Sequence, residues 1–123
     1  EVPAIAAELR AVSAAARQMQ LRPVRYRQTR SVGMIVLEDA GGVATAFAAD
    51  LQERLGRLGV FRREERPWLP HVTVVRRPER EGGRPGVANT CSIHVVRSAL
   101  YRSSLAPGGA RYDALETAAL GGM

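Results

Sequence analysis

The first apolar positions of the chain have the three- and four-residue steps of an amphipathic helix. They are Val2, Ile5, Leu9, Val12 and Ala16. Pro3 suits the first turn of a helix, where its missing N–H costs no hydrogen bond. We therefore predict a helix over about residues 3–17. Because its apolar stripe is rich in alanine, we expect the helix to pack closely against a sheet.

A second helical stripe lies in the middle of the chain and is followed by a stop signal. It consists of Val43, Phe47, Leu51, Leu55 and Leu58. Gly59 stands where a glycine commonly ends a helix. The stretch Asp39-Ala40-Gly41-Gly42 breaks the chain just before this helix.

Five other stretches have the pattern of β-strands. Residues 21–28 alternate in polarity and include Pro23, which predicts an edge strand. Residues 33–37 are continuously apolar, which indicates a strand covered on both faces. Residues 71–76 are β-branched, and residues 91–101 and 111–118 predict two strands joined by a turn.

The predicted order is helix, strand, strand, helix, strand, strand, strand. This order favours an α+β fold, in which helices pack on one face of a mostly antiparallel sheet. The other sheet face is then left to line a cleft. Residues 78–86 are rich in glycine, proline and charge, and they predict an exposed loop.

The candidate chemistry lies in Pro67-Trp68-Leu69-Pro70-His71-Val72-Thr73-Val74-Val75-Arg76. Side chains on a strand alternate between faces, so His71, Thr73 and Val75 share one face. Histidine transfers protons near neutral pH, and a hydroxyl holds a phosphoryl oxygen. The pair therefore suits phosphate chemistry.

Each of these residues also has a structural interpretation. A single histidine at the start of an apolar strand is commonly a core or edge residue. Trp68 and Tyr101 suit stacking on a base, although core packing is the more frequent role of each. His94 has no threonine two residues later, and we interpret it as structural or incidental.

Length and composition bound the class of protein. A chain of 123 residues fits one domain, and its apolar runs fall short of the roughly 18 residues of a membrane span. We therefore expect no membrane partner. A single cysteine, Cys91, forms no internal disulfide, which favours the cytoplasm.

The charge is carried by arginine alone. All 18 basic residues are arginine and the formal net charge is +6, which fits an anionic or nucleic-acid partner as well as a GC-rich genome. Four arginines lie between residues 22 and 30. They indicate either a basic rim beside an anionic substrate or a charged, solvated edge strand.

The ordered motifs resemble the bacterial RNA 2′,3′-cyclic phosphodiesterases, first called 2′-5′ RNA ligases, of the two-histidine phosphoesterase superfamily. The resemblance rests on Pro70-His71-Val72-Thr73-Val74-Val75-Arg76, on Leu100-Tyr101-Arg102-Ser103-Ser104-Leu105 and on Pro107-Gly108-Gly109-Ala110-Arg111-Tyr112. It covers about residues 32–115. Members fold as two pseudo-symmetric lobes, each contributing one His-x-Thr/Ser-x motif to a cleft.

The resemblance implies metal-independent hydrolysis of a 2′,3′-cyclic phosphate on RNA or a nucleotide to a 2′-phosphate, with 2′-5′ ligation as its reverse and no cofactor. His71 is then the second catalytic histidine, Thr73 its phosphate-holding partner and Arg76 a phosphate ligand. Strand parity places Arg77, not Arg76, on the face of His71. A bulge or the end of the strand would reconcile Arg76 with that face.

The first His-x-Thr motif of the family is missing. Since the chain also begins with Glu1, we expect it to be a portion of a longer protein, with residues 1–30 a remnant of the first lobe and residues 31–120 the second-motif lobe. We expect this chain alone to be nearly inactive. The alternatives are a non-catalytic nucleotide or RNA-end binding module, and self-association through the uncovered sheet face.

Overall fold

The computed structural model describes residues 1–62, 67–76 and 91–121, without the side chains of Val75 and Arg76. Two helices and six strands occur there, together with a short 3-10 turn over Ala40–Gly42. The elements are α1 (Val2–Ala15), β1 (Met19–Gln28), β2 (Val32–Asp39), α2 (Val43–Arg57), β3 (His71–Arg76), β4 (Ile93–Val95), β5 (Arg97–Ala106) and β6 (Gly109–Ala119). The predicted α+β class is confirmed, and every strand pair is antiparallel.

The strands form two sheets. One is four-stranded in the order β3-β2-β1-β4, and the other is the β5-β6 hairpin. The single strand predicted over residues 91–101 is therefore wrong, because it is divided at Val96. The carbonyl of Val96 accepts a hydrogen bond from the Leu120 N–H at 2.9 Å, which takes the chain into the hairpin sheet.

The chain divides into two compact units. The described residues of the first unit lie in 1–18, 46–62 and 96–121, and they include α1, most of α2 and the hairpin. Those of the second lie in 19–45, 67–76 and 91–95 and form the four-stranded sheet. The predicted boundary at residue 30 between two lobes stays a prediction.

In the first unit, α1 packs on the hairpin sheet as its alanine-rich stripe predicted. Ala6, Leu9, Val12 and Ser13 are the buried side of the helix. The Ser13 and Ser98 hydroxyl oxygens lie 2.7 Å apart, and the Gly121 N–H donates to the Ser13 carbonyl at 3.0 Å. Small side chains thus allow the helix backbone to approach the chain that follows β6.

Helix α2 ends as the glycine signal predicted. Gly59 has a φ of +78°, and the Val60 N–H reaches back to the Leu55 carbonyl at 3.3 Å while the Gly59 N–H reaches that of Gly56 at 3.0 Å. These two bonds form a Schellman motif, which satisfies carbonyls that have no partner inside the helix.

Asp39 caps the start of α2 from across the short turn. Its carboxylate accepts hydrogen bonds from the Ala44 N–H at 3.0 Å, the Thr45 N–H at 2.7 Å and the Thr45 hydroxyl at 2.7 Å. Burial raises the pKa of Asp39, but the hydrogen bonds outweigh it and hold the pKa below its ordinary value. The charged carboxylate is therefore the form that the folded chain prefers.

In the second unit, β2 is the inner strand that its apolar run predicted. Met34, Val36 and Leu37 are buried, and successive residues of a strand face opposite ways, so both faces of β2 are covered. The edge position predicted for β1 is only partly right, because β1 pairs with β2 along its length and with β4 at Met19–Leu21. Its register shifts between Pro23 and Arg25, where a bulge accommodates the proline.

The predicted loop over residues 78–86, Arg77 and residues 63–66 lie outside the described residues. Neither helix of the described ranges is long and apolar enough to cross a membrane.

Candidate phosphate site on strand β3

His71 opens β3 directly after two extended prolines. The Pro70 carbonyl accepts a hydrogen bond from the Leu37 N–H at 3.0 Å, so the pairing of β2 already begins one residue before the histidine. The His71 ring is exposed, and its Nδ1 lies 2.8 Å from the Leu69 carbonyl oxygen. Since a carbonyl oxygen only accepts, Nδ1 carries the proton of this bond. In the neutral ring, Nε2 is then the atom with a free lone pair.

Thr73 lies two residues further along β3, and the register shows that it shares a face with His71. His71 pairs with Val36 and Thr73 with Met34, which are themselves two residues apart on β2. The Thr73 side chain is exposed. Its hydroxyl makes no hydrogen bond to any other described residue, so it is available to a ligand. The predicted imidazole–hydroxyl pair is therefore present on one face of an exposed strand.

A β-bulge follows Thr73 and changes the position of Arg76. Thr73 pairs with Met34, but Val75 pairs with Gly33 and Arg76 with Val32, so Val74 is an additional residue on β3. Thr73 and Arg76 thus pair with residues two apart on β2. The parity objection to Arg76 is removed, and its role as a phosphate ligand stays a prediction.

Arginines of β1 lie across the sheet from the two polar residues of β3. Arg25 pairs with Val36, the partner of His71, and Arg27 pairs with Met34, the partner of Thr73. Residues directly opposite each other in an antiparallel pair share a face. Both arginines therefore lie on the face of His71 and Thr73.

His94 is too distant to act with His71 on one phosphate. It lies on β4 opposite Gln20, whereas the ladder of His71 meets β1 at Arg25. The three strand spacings from β4 to β3 amount to roughly 14 Å, and the five residues of β1 add roughly 15 Å along the strand. Two proton-transfer groups must each come within about 3 Å of the atoms they serve.

Trp68 and Tyr101 are not core residues. Their exposed fractions are 42% and 57%, so core packing is wrong for both, and stacking on a base stays a prediction. Within the described ranges, no group of three or more His, Cys, Asp or Glu side chains is placed to hold a metal ion.

Sequence reasoning missed the Leu69 carbonyl, the position of Arg25 and Arg27 and the bulge at Val74. The first two are cross-strand or backbone relationships without a local signal. The conflict between strand parity and Arg76 was the one indication of the bulge.

Several solved structures share this fold. TT0787 of Thermus thermophilus superposes with a TM-score of 0.77 at 26% identity, covering 99% of this chain and 71% of that one. Escherichia coli LigT complexed with 3′-AMP gives 0.77 at 24% identity, with 94% and 68% covered. A protein described as a phosphoesterase gives 0.75 at 25% identity, with 94% and 68% covered.

No protein-family model matches the sequence, and no curated protein matches it. The structural likeness extends over nearly the whole chain and includes the four-stranded sheet that carries His71 and Thr73. The chain therefore has the α+β fold of the LigT-like two-histidine phosphoesterases.

Proposed function

We propose that His71 and Thr73 form one half of an RNA 2′,3′-cyclic phosphodiesterase site, which opens the cyclic phosphate to a 2′-phosphate without a metal. The observation that carries this proposal is the His71 ring, fixed through Nδ1 to the Leu69 carbonyl at 2.8 Å and lying beside the Thr73 hydroxyl on one exposed sheet face.

The proposed reaction assigns a distinct role to each group. Nε2 of His71 accepts a proton from the water that attacks phosphorus. The new phosphorus–oxygen bond forms as the bond to the ribose 3′ oxygen breaks, and a second acid protonates that oxygen. The Thr73 hydroxyl donates to a phosphoryl oxygen, and Arg76 neutralises its charge.

The structural neighbours support an enzyme of the phosphoesterase type. Escherichia coli LigT is described in complexes with 3′-AMP, with NADP+ and with phosphate, and a further neighbour is described as a phosphoesterase. A nucleotide phosphate is the group that these ligands have in common. For this chain we propose RNA or a nucleotide with a 2′,3′-cyclic phosphate as the ligand, with 2′-5′ ligation as the reverse reaction.

The second proton-transfer group has to come from outside these 123 residues. The chain has two histidines, and His94 lies far from His71 across the sheet. Loss of one general acid or base typically lowers the rate by roughly 10²–10⁴-fold. We therefore propose that the chain alone binds the cyclic phosphate and turns it over slowly.

The same observation favours a second candidate function, a module that binds a nucleotide or RNA end without turnover. Self-association is a further proposal, since the edge strand β3 is exposed, with Val72 and Val74 at 47% and 49%. Cys91 is exposed and unpaired, which suits the cytoplasmic location that we propose.

The test is hydrolysis of adenosine 2′,3′-cyclic monophosphate, with the product identified by chromatography. It is measured for the 123-residue chain and for a longer form that carries a first His-x-Thr motif. We expect 2′-phosphate from the longer form and little from the chain. Binding by both forms without product from either would establish the binding module instead.

A further inference from the structure

We propose that Arg25 and Arg27 form a second anion subsite, which holds the phosphodiester next to the terminal cyclic phosphate of an oligoribonucleotide. The inference rests on the function proposed above, because it takes His71 and Thr73 as the place of the terminal phosphate. It adds a substrate class, namely an RNA chain rather than a mononucleotide.

The two arginines lie on the face of the sheet that carries the candidate site. The pairing runs from Arg25 through Val36 to His71, and from Arg27 through Met34 to Thr73. The bulge between Pro23 and Arg25 sets this arrangement, because it moves Arg25 and Arg27 to the face of Arg22. The exposure along β1 agrees, since Arg22, Arg25 and Arg27 are exposed while Val24 and Tyr26 are not.

Arg25 and Arg27 are uncompensated charges. Arg22, on the same strand and face, forms an ion pair with Glu38 at 2.7 Å. Arg25 and Arg27 have no acidic partner among the residues that the structure describes. Met34 and Val36, which lie between them and β3, are apolar and 9% and 4% exposed. The face therefore offers two free guanidinium groups to an anion.

The spacing separates this subsite from the terminal one. Strands β1 and β3 lie two strand spacings apart, roughly 10 Å, and Arg25 and Arg27 are two residues apart, roughly 7 Å along the strand. The guanidinium groups are thus spread over a length of chain, whereas the proposed ligand of the terminal phosphate is Arg76. Arginine binds phosphate oxygens through its planar pair of N–H donors.

The experiment uses the 123-residue chain and measures binding, so it does not depend on turnover. The probe is a 5′-fluorescein triribonucleotide that ends in a 2′,3′-cyclic phosphate, followed by fluorescence anisotropy at several salt concentrations. Adenosine 2′,3′-cyclic monophosphate serves as the competitor. The variants are Arg25→Gln with Arg27→Gln, the matched control Arg22→Gln, and His71→Ala with Thr73→Ala.

We expect the Arg25→Gln, Arg27→Gln variant to bind the triribonucleotide roughly tenfold more weakly. The slope of log K against log salt should fall by about 1.4, or about 0.7 per lost phosphate contact on a single strand. Competition by the cyclic mononucleotide and the behaviour of Arg22→Gln should change less than about twofold, because neither involves the subsite.

Three outcomes would overturn the inference. If the variant keeps wild-type affinity and salt slope while His71→Ala, Thr73→Ala loses binding, the subsite is wrong and the proposed function stands. If the variant weakens the cyclic mononucleotide equally, the arginines hold the terminal phosphate instead. If the wild-type chain binds neither probe, the proposed function and the subsite are both wrong.

Discussion

The Nδ1 atom of His71 donates a hydrogen bond to the Leu69 carbonyl oxygen at 2.8 Å. This bond joins the catalytic candidate to the backbone that the flanking prolines hold extended. It fixes both the orientation of the ring and the nitrogen that remains open to a substrate.

The first prediction is that the neutral His71 ring carries its proton on Nδ1. In imidazole-15N-labelled protein at alkaline pH, two-dimensional 15N–1H spectra should show a protonated Nδ1 and an unprotonated Nε2 for His71. His94, which is exposed on β4, provides the comparison within the same spectrum. A proton on Nε2 of His71 would exclude that atom as the base in water attack.

The second prediction concerns the Thr73 hydroxyl. Thr73→Val removes the hydroxyl at nearly constant volume and should weaken binding of adenosine 2′,3′-cyclic monophosphate roughly tenfold, since hydrogen bonds to charged groups contribute about 1.5–3 kcal/mol. Thr73→Ser keeps the hydroxyl and should bind within about threefold of wild type. Isothermal titration calorimetry measures both. Equal affinity of the valine and serine variants would show that the hydroxyl does not touch the ligand.

The third prediction concerns Asp39 and acid stability. Because hydrogen bonds hold its pKa below that of an unfolded carboxyl, which titrates near 3.9, its contribution is present above that pH. The contribution is lost as the pH falls through the folded-state pKa, since the unfolded chain binds the proton first. Urea unfolding at pH 7 and at pH 3 measures it.

Two variants separate the charge of Asp39 from its capping role. Asp39→Ala should lose about 0.5–2 kcal/mol at pH 7. Asp39→Asn retains a capping oxygen, so it should lose less at pH 7 and show a smaller decrease in stability between pH 7 and pH 3 than wild type. An unchanged acid dependence in Asp39→Asn would contradict the assignment.

The fourth prediction concerns the close approach of the chain after β6 to α1. A Cβ at Gly121 would overlap the backbone carbonyl of Ala14, whereas a Cβ at Gly108 meets nothing within 4 Å. Gly121→Ala should therefore lower the free energy of unfolding by about 1–3 kcal/mol. Gly108→Ala, the matched control, should stay within about 0.5 kcal/mol of wild type. Equal urea midpoints of the two variants would contradict the packing of α1.

The elements that follow from local chemistry were predictable from the sequence. Helical spacing and the glycine at residue 59 gave α2 and its end, and the β-branched run gave β3 with His71 and Thr73 on one face. These features depend on residues near each other in the chain, where period and turn chemistry act.

The features set by pairing between distant residues were not predictable. The division at Val96 depends on a hydrogen bond from Leu120, and the bulge at Val74 depends on the register against Gly33 and Met34. A Thr-Val-Val-Arg stretch has the pattern of a regular strand, and only its partner strand shows the additional residue. The exposure of Trp68 and Tyr101 likewise follows from what surrounds them rather than from their type.

The most direct test of the site is binding of adenosine 2′,3′-cyclic monophosphate to the chain, measured by calorimetry for wild type, His71→Ala and His94→Ala. The proposed function predicts that wild type and His94→Ala bind alike, and that His71→Ala loses most of the affinity while its circular dichroism stays unchanged. Binding that is independent of His71, or that depends equally on His94, would contradict a phosphate site on β3.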